Sequence, residues 1–360
     1  MRLMNVNGAL GALVAALTIF GGATPGSADV PKGAIGAIAV SPDGATVVAS
    51  GNPRTFYVLD ADTLEVKDRV WHGYNPLRLY WTKDGSRLAL YHTDDIVTFF
   101  DAASLKEVGK TEKFNAHCFA AGAGKLITMH SGSKKDEKYP ITLTVYSLAT
   151  GEKTASTVLS YTVPVGDIAC SPDGAQIAIA SKQYDTDTEE KKNPPKDMAR
   201  EDQPEFKKRN DAKAMWIGWF DGDLNKGAEY ESWFSDSGAS LFFIKDGKAL
   251  WFDNSTENVA FQADGTIEMM KLDNAGSFYG GLAGADHSFF LSGTLGKGYK
   301  VETATLSETE FKFPDRLEGW PEYLYGFAVA PDGTIYGGTS AYRMMKISPD
   351  GKVLDMKPVH

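Results

Sequence analysis

Short apolar segments separated by tight polar turns occupy most of the chain. The first such unit, residues 38–50, contains an apolar strand, a turn at Asp43-Gly44 and a second apolar strand. Asp and Gly suit this turn because both tolerate positive φ, and because the Asp side chain can bond its own backbone. Equivalent turns occur at Asp84-Gly85, Ala123-Gly124, Asp173-Gly174, Asp246-Gly247, Asp286-His287 and Asp332-Gly333. The pattern predicts seven copies of one repeat unit.

A second polar turn follows the first within the repeat. The segment 59–66 has counterparts at 100–107, 147–153, 262–268 and 348–354. Two hairpins per repeat give four strands, and a period of roughly 40–50 residues is typical of four-stranded propeller blades. The sequence therefore predicts an all-β, seven-bladed β-propeller with four antiparallel strands per blade. The predicted blades are 36–70, 77–110, 116–157, 166–234, 240–272, 278–313 and 325–356.

These repeats resemble those of secreted seven-bladed propellers of the WD-like and YVTN type, over residues 36–356. The resemblance implies a fold, and this fold hosts scaffolds, electron-transfer subunits, lactonases and ligand binders. In its fold, its N-terminal signal segment and its mass, the chain is also similar to the non-catalytic heavy subunits of amine dehydrogenases. That similarity implies an accessory or protein-interaction role in the cell envelope.

The N-terminal segment has the pattern of a secretory signal. Arg2 precedes an apolar run at 9–20, and small residues follow at Gly26-Ser27-Ala28. The alternative, a membrane anchor, needs about 20 apolar residues, and this run is shorter. We expect a signal peptide at 1–28 and one domain at 29–360, exported to the periplasm or secreted.

Charge limits the choice of partner. The chain has 37 Lys and Arg against 47 Asp and Glu, a net charge of −10. This balance argues against nucleic acid or an anionic membrane as the main partner.

One segment, 182–213, is dense in charges and contains three prolines, so it cannot bury a core and is predicted to be an insertion in the fourth blade. It is either a tolerated surface loop or a lid or partner-docking arm.

The chain has two cysteines, Cys118 and Cys170. The repeat alignment places each on the first strand of its blade, on the same side. An oxidising compartment permits a bond between them, but we expect two buried free thiols.

Four of the six histidines map to one face of the first three blades: His72, His92, His117 and His130. Converging imidazoles would suit Zn or Cu, and this is the metal site that the alignment offers. None of the four has the short spacing that makes a metal site readable from sequence. The alternative is that they are ordinary structural residues, each with a hydrogen bond to a loop.

Arg78, His117 and Asp167 align at the start of the first strand of blades 2, 3 and 4, and we expect them to face one another across the channel. Arg could hold an anion while His exchanges a proton, as a lactonase or hydrolase needs. The alternative is a buried cluster that closes the channel, its charges paired because an unpaired buried charge is costly.

Known catalytic and cofactor motifs are absent from the sequence: it has no nucleophile elbow, phosphate loop or haem-attachment motif. The glycine-rich run 293–298 is predicted to be a hairpin, and Trp216 and Trp219 to be core. The expected function is that of an exported, non-catalytic propeller with a protein partner. The alternative is a metal-binding or lactonase-like enzyme that uses the histidine, arginine and aspartate residues above.

Overall fold

The computed structural model describes residues 34–163, 165–181, 213–234, 240–244, 247–252, 257–272, 282–283, 288–314 and 322–359. The predicted signal peptide, the turn at Asp286-His287 and all of the predicted insertion except Lys213 lie outside these ranges. The described residues form strands and turns, with a short 3-10 turn at Ala121–Ala123 and no α-helix. Among them, no helix is present that could cross a membrane.

Within the described ranges, strands assemble into seven four-stranded antiparallel sheets, each built from four consecutive strands. Sheet 1 contains β1 (Ile35–Val40), β2 (Thr46–Gly51), β3 (Thr55–Asp60) and β4 (Val66–Trp71). Sheet 2 contains β5 (Pro76–Trp81), β6 (Arg87–His92), β7 (Ile96–Asp101) and β8 (Glu107–Lys110). Sheet 3 contains β9 (Ala116–Ala120), β10 (Lys125–Ser131), β11 (Tyr139–Ser147) and β12 (Lys153–Tyr161).

The other sheets repeat this order. Sheet 4 contains β13 (Val165–Cys170), β14 (Gln176–Ser181), β15 (Lys213–Asp221) and β16 (Lys226–Phe234). Sheet 5 contains β17 (Ser240–Phe243), β18 (Ala249–Phe252), β19 (Glu257–Phe261) and β20 (Ile267–Lys271). Sheet 6 contains β21 (Leu282–Ala283), β22 (Phe289–Thr294), β23 (Lys297–Glu302) and β24 (Glu308–Lys312). Sheet 7 contains β25 (Leu324–Val329), β26 (Ile335–Thr339), β27 (Arg343–Ile347) and β28 (Val353–Pro358).

Each sheet buries its two faces against its neighbours in the chain. Apolar clusters join sheets 1 and 2, 2 and 3, 3 and 4, 4 and 5, 5 and 6, and 6 and 7. A seventh cluster joins sheet 7 to sheet 1, with Tyr336 and Met344 packed against Ile38, Tyr57 and Leu59. The first and last sheets of the chain are therefore neighbours.

The contact between sheets 7 and 1 is close at the backbone. A Cβ atom at Gly326 would lie 2.6 Å from the carbonyl oxygen of Gly36, so this approach of β25 to β1 requires glycine. The Tyr336 hydroxyl also donates to the Ala61 carbonyl at 2.8 Å. All four strands of sheet 7 come from the C-terminal part of the chain, so the two sheets are joined by packing rather than by a shared strand.

The turn chemistry of the sequence agrees with the backbone. Gly44, Gly85, Gly174 and Gly333 all have positive φ, as the Asp-Gly turns require. The run 293–298 is the β22–β23 hairpin, in which Gly296 has φ +70°, and this prediction is confirmed. Trp216 and Trp219 are buried core residues, as predicted.

Sheet 3 differs from the others at the start of its first strand. In sheets 1, 2, 4 and 7 the register shifts by one residue near that point, whereas β9 pairs with β10 without a shift. The β9–β10 connection is also shorter: Ala120 pairs with Lys125, while the equivalent Cys170 pairs with Ile177. Side chains on β9 consequently point to the opposite faces from those at the equivalent positions of β5 and β13.

The prediction of free thiols is wrong: Cys118 and Cys170 form a disulfide with a Cα–Cα distance of 5.8 Å. The reversed facing of β9 is the reason. Cys118 points toward sheet 4 and Cys170 points toward sheet 3, and both lie in the apolar cluster between these sheets. Had β9 followed the common pattern, both thiols would point in the same direction around the molecule.

Candidate functional site

The predicted site residues lie near the end of the sheets at which the first strand begins and the second strand ends. We call this the entry end. The start of the first strand pairs with the end of the second strand: Ala37 pairs with Ser50 in sheet 1, and Arg78 pairs with Tyr91 in sheet 2. The third strand of each sheet begins at this end and the fourth strand finishes there.

His72 follows β4 at the entry end and is held by hydrogen bonds at both ring nitrogens. Its Nδ1 accepts from the Tyr74 backbone N–H at 3.2 Å, and its Nε2 lies 2.8 Å from Ser50 Oγ. Ser50 Oγ in turn donates to the Thr55 carbonyl at 3.0 Å. This chain of bonds is consistent with the neutral tautomer in which Nε2 carries the proton. Burial, with smaller contributions from His92 and Arg54, lowers the pKa of His72 to about 4.

His92 ends β6 and is buried. Its ring stacks on Tyr74 at a centroid distance of 4.4 Å, and its Nε2 lies 3.1 Å from Thr98 Oγ1. Nδ1 is 3.3 Å from an Asp94 carboxylate oxygen, in an orientation that makes no hydrogen bond. Burial lowers the pKa of His92, and Asp94 opposes the shift.

His117 lies between sheets 2 and 3, on β9. Its ring contacts Tyr91 at 4.1 Å, Phe114 at 5.4 Å and Phe119 at 5.5 Å, measured between centroids. Burial and then the charge of Arg78 lower the pKa of His117 to about 3, so the ring is neutral. His130, near the end of β10, is exposed and has its backbone paired with Thr142.

The four histidines therefore do not converge on one point. His72 and His92 lie on either side of Tyr74, His117 belongs to the interface of sheets 2 and 3, and His130 faces solvent. In the described part of the chain, no three His, Cys, Asp or Glu side chains are close enough to hold a metal ion. Both nitrogens of His72 are already engaged, so this residue is a poor ligand for Zn or Cu.

Arg78 and His117 lie close together, but Asp167 does not join them. Asp167 points to sheet 5. One of its carboxylate oxygens accepts from the N–H of Leu241 in that sheet at 2.7 Å, and the other accepts from the N–H of the next residue on β13, Ile168, at 2.8 Å. Burial raises the pKa of Asp167 to about 6, against those two hydrogen bonds. The expectation that Arg78, His117 and Asp167 face one another is wrong. Side chains on β9 point to the opposite faces from those at the equivalent positions of β13, so His117 points toward sheet 2 while Asp167 points toward sheet 5.

The alternative expectation, that these charges are paired with one another, is also wrong. Arg78 makes no ion pair with any described residue, and its guanidinium donates only to the adjacent Leu77 carbonyl at 3.3 Å. The aromatic residues around it, Tyr80 and Tyr91, were not identified from the sequence as site residues. Tyr80 follows Arg78 by two residues and therefore lies on the same face of β5, and Tyr91 pairs with Arg78 in the β5–β6 register. These two positions are the signal that could have identified them.

Exposed apolar side chains form a second feature of the entry end. Trp71, the last residue of β4, is 72% exposed, and Leu295 and Tyr323 are 40% and 38% exposed. Leu295 lies in the β22–β23 turn, and Tyr323 directly precedes β25. The other large exposed apolar residues of the described chain lie on the fourth strands of their sheets: Val108, Val158, Ile267 and Leu354.

Comparison with known proteins gives no family. No protein-family model matches the chain, and no curated protein matches it.

Proposed function

We propose that the seven sheets are the blades of one seven-bladed β-propeller. The cyclic series of apolar clusters supports this arrangement, because each sheet packs on its two neighbours and sheet 7 packs on sheet 1. Such a ring covers both faces of every sheet and leaves only short first and fourth strands as edges. A crystal structure of the protein would show seven blades; six or eight would contradict the proposal.

The propeller is exported from the cytoplasm. The Cys118–Cys170 disulfide supports this, since such bonds persist in oxidising compartments. The N-terminal pattern of 1–28 points the same way. Maleimide labelling of the denatured protein tests it: the full chain recovered from the envelope fraction should label only after reduction. A variant beginning at residue 29 and retained in the cytoplasm should label without reductant. Recovery of the full chain in the cytoplasm with reactive thiols would contradict export.

Its function is to dock a protein partner in the cell envelope, without catalysis of its own. The observation that carries this proposal is the set of exposed apolar side chains at the entry end, Trp71, Leu295 and Tyr323. They belong to sheets 1, 6 and 7, which are consecutive in a closed ring. Exposed Trp and Tyr side chains are the residue types that most often dominate the energy of protein interfaces.

Variants of matched exposure test the docking surface. Tagged protein is captured from the envelope after mild cross-linking, as wild type, as the double variant Trp71→Ala/Tyr323→Ala and as Leu354→Ala. Leu354 is 52% exposed but lies at the start of the fourth strand β28, at the end of sheet 7 opposite the entry end. We expect one stoichiometric partner with wild type and Leu354→Ala, and its loss from the double variant. Equal recovery from all three would contradict an entry-end docking surface.

A further inference from the structure

The interface between sheets 2 and 3 is built differently from its neighbours. First strands β1 and β5 pack closely, as do β9 and β13. Between β5 and β9, in contrast, bulky side chains from both strands meet, because β9 has the reversed facing. Tyr80 stacks on Phe119 with centroids 3.4 Å apart, and Tyr91 lies against His117. The rings of Tyr80, Tyr91, His117 and Phe119 remain partly exposed, so they form an aromatic surface at this interface.

Arg78 lies beside this aromatic surface, on the same side of β5 as Tyr80. It is half-buried, and its single hydrogen bond to a described residue is the one to Leu77. The described carboxylates nearby have other partners. Asp95 lies 3.4 Å from the Tyr91 hydroxyl and 3.8 Å from Lys113 Nζ, and Asp167 points to sheet 5.

The described residues give Arg78 no counter-charge. A guanidinium carries five N–H donors in a planar fork, and a partly buried cation without a counter-charge is unfavourable. Arg343 is also only partly exposed, and its charge is paired with the Glu322 carboxylate at 2.6 Å. Among the described residues, no carboxylate pairs with Arg78 in this way.

The surroundings of Arg78 narrow the class of anion that would fit. His117 is neutral, since burial and Arg78 itself keep its pKa far below its ordinary value. Arg78 thus offers one positive charge, which favours a monoanion over a phosphate. A carboxylate matches the planar fork of Arg with two parallel hydrogen bonds. The rings of Tyr91 and His117 beside it favour an apolar or aromatic body on the same molecule.

We propose that Arg78 binds the carboxylate of a small organic acid at the entry end of the interface between sheets 2 and 3, with the apolar part of the acid against the partly exposed rings of Tyr91 and His117. This site is separate from the docking surface formed by Trp71, Leu295 and Tyr323. The proposal of carboxylate binding at Arg78 and the proposal of protein docking are therefore independent, and the failure of one would not affect the other.

Benzoate and its neutral isostere benzamide are the probes. Each is titrated into the full exported chain labelled with ¹⁵N-arginine, and Arg Nε resonances and calorimetric heats are recorded. We expect benzoate to shift the Arg78 Nε resonance and to bind, and benzamide to bind at least tenfold more weakly. No shift of Arg78 with benzoate, or equal binding of the two probes, overturns the proposal.

Two variants and one control locate the binding. Arg78→Met keeps the length of the side chain and removes the fork, so benzoate binding should be lost. Arg78→Lys keeps the charge without the fork and should bind about tenfold more weakly. Arg87→Met, at the opposite end of sheet 2 where Arg87 donates to the Thr150 carbonyl, should bind as wild type does. Unchanged affinity in the Arg78 variants overturns the proposal.

The melting temperature of Arg78→Met distinguishes a ligand-binding role of Arg78 from a structural one. Without ligand, Arg78→Met should melt at or above the wild-type temperature, because an unpaired charge has been replaced by an apolar side chain of similar size. A melting temperature several degrees lower would mean that Arg78 holds sheets 2 and 3 together, and would overturn the proposal. Should Arg78→Met fail to fold, the wild-type Nε titration and Arg78→Lys still decide.

Discussion

Arg343 and Glu322 form a buried ion pair at the start of sheet 7, with Nη2 and Oε1 2.6 Å apart and Glu322 only 3% exposed. The pair is further fixed by Thr339 Oγ1, which donates to Glu322 Oε2 at 2.6 Å, and by Arg343 Nη2, which donates to the Pro314 carbonyl at 2.5 Å. It connects the segment preceding β25 to the start of β27 across 21 residues of sequence.

Removal of one partner of this pair should destabilise the protein strongly. Arg343→Ala leaves the Glu322 carboxylate buried without its counter-ion, and we expect a loss of about 3–5 kcal/mol in the free energy of unfolding. Urea denaturation measures it. The control is Asp62→Ala, which removes the Asp62–Lys346 pair, where Asp62 is 94% exposed. An exposed pair contributes at most about 1 kcal/mol. Equal losses in the two variants would contradict the importance of burial here.

Reduction of the disulfide should lower stability because the Cys118–Cys170 bond closes a long loop between sheets 3 and 4. The cysteines are 52 residues apart in sequence. On the chain-entropy account, opening a loop of this length costs about 4 kcal/mol. We expect dithiothreitol to lower the urea midpoint of wild type and to leave that of Cys118→Ala/Cys170→Ala unchanged. A wild-type midpoint that does not respond to complete reduction would contradict the expectation.

His72 should make the protein less stable as the solution becomes acidic. Its pKa is about 4 in the folded protein and about 6.5 when unfolded, so the unfolded chain binds the proton more tightly between these values. The free energy of unfolding should therefore fall as pH falls from about 6.5 to about 4. His72→Gln should show a shallower decline than wild type in melting experiments over this range.

His130→Gln is the control for this titration because His130 is exposed and forms no part of the His72–Ser50 network. It should keep the wild-type slope. If His72→Gln declines as steeply as wild type, protonation of His72 is not what weakens the fold.

Asp167 should act in the opposite direction. Its pKa is about 6 in the folded protein against about 3.8 as the ordinary value, so the folded state binds the proton more tightly. The contribution of this group to stability is lost as pH rises from about 4 to about 6. Burial is the leading cause, and no charged side chain contributes to the shift.

The variant Asp167→Asn isolates that contribution because its amide does not titrate. The melting temperature of wild type minus that of the variant should decrease as pH rises from about 4 to about 6. An increase would show that the N–H groups of Leu241 and Ile168 stabilise the ionised carboxylate more than burial destabilises it.

Much of the strand order could be predicted from the sequence because its signals are local. An Asp-Gly turn fixes a hairpin within a few residues, and alternation of apolar and polar positions fixes which residues pair. The predicted start of the first strand of sheet 3 at residue 116 and the end of the second strand of sheet 4 at residue 181 are those of the structure. The predicted end of sheet 3 at residue 157 is four residues short, because the β11–β12 ribbon extends to Tyr161.

The sequence by itself determined the number of repeats in the chain, the four-strand pattern and the end of each strand at which Arg78, His117 and Asp167 lie. Only the tertiary structure decided which neighbours they face. The β9–β10 turn is shorter and β9 lacks the register shift of β5 and β13. Because successive side chains on a strand point to opposite faces, a one-residue difference in register exchanges them. This exchange brings Cys118 to Cys170 and His117 to Arg78, and it leaves Asp167 with sheet 5.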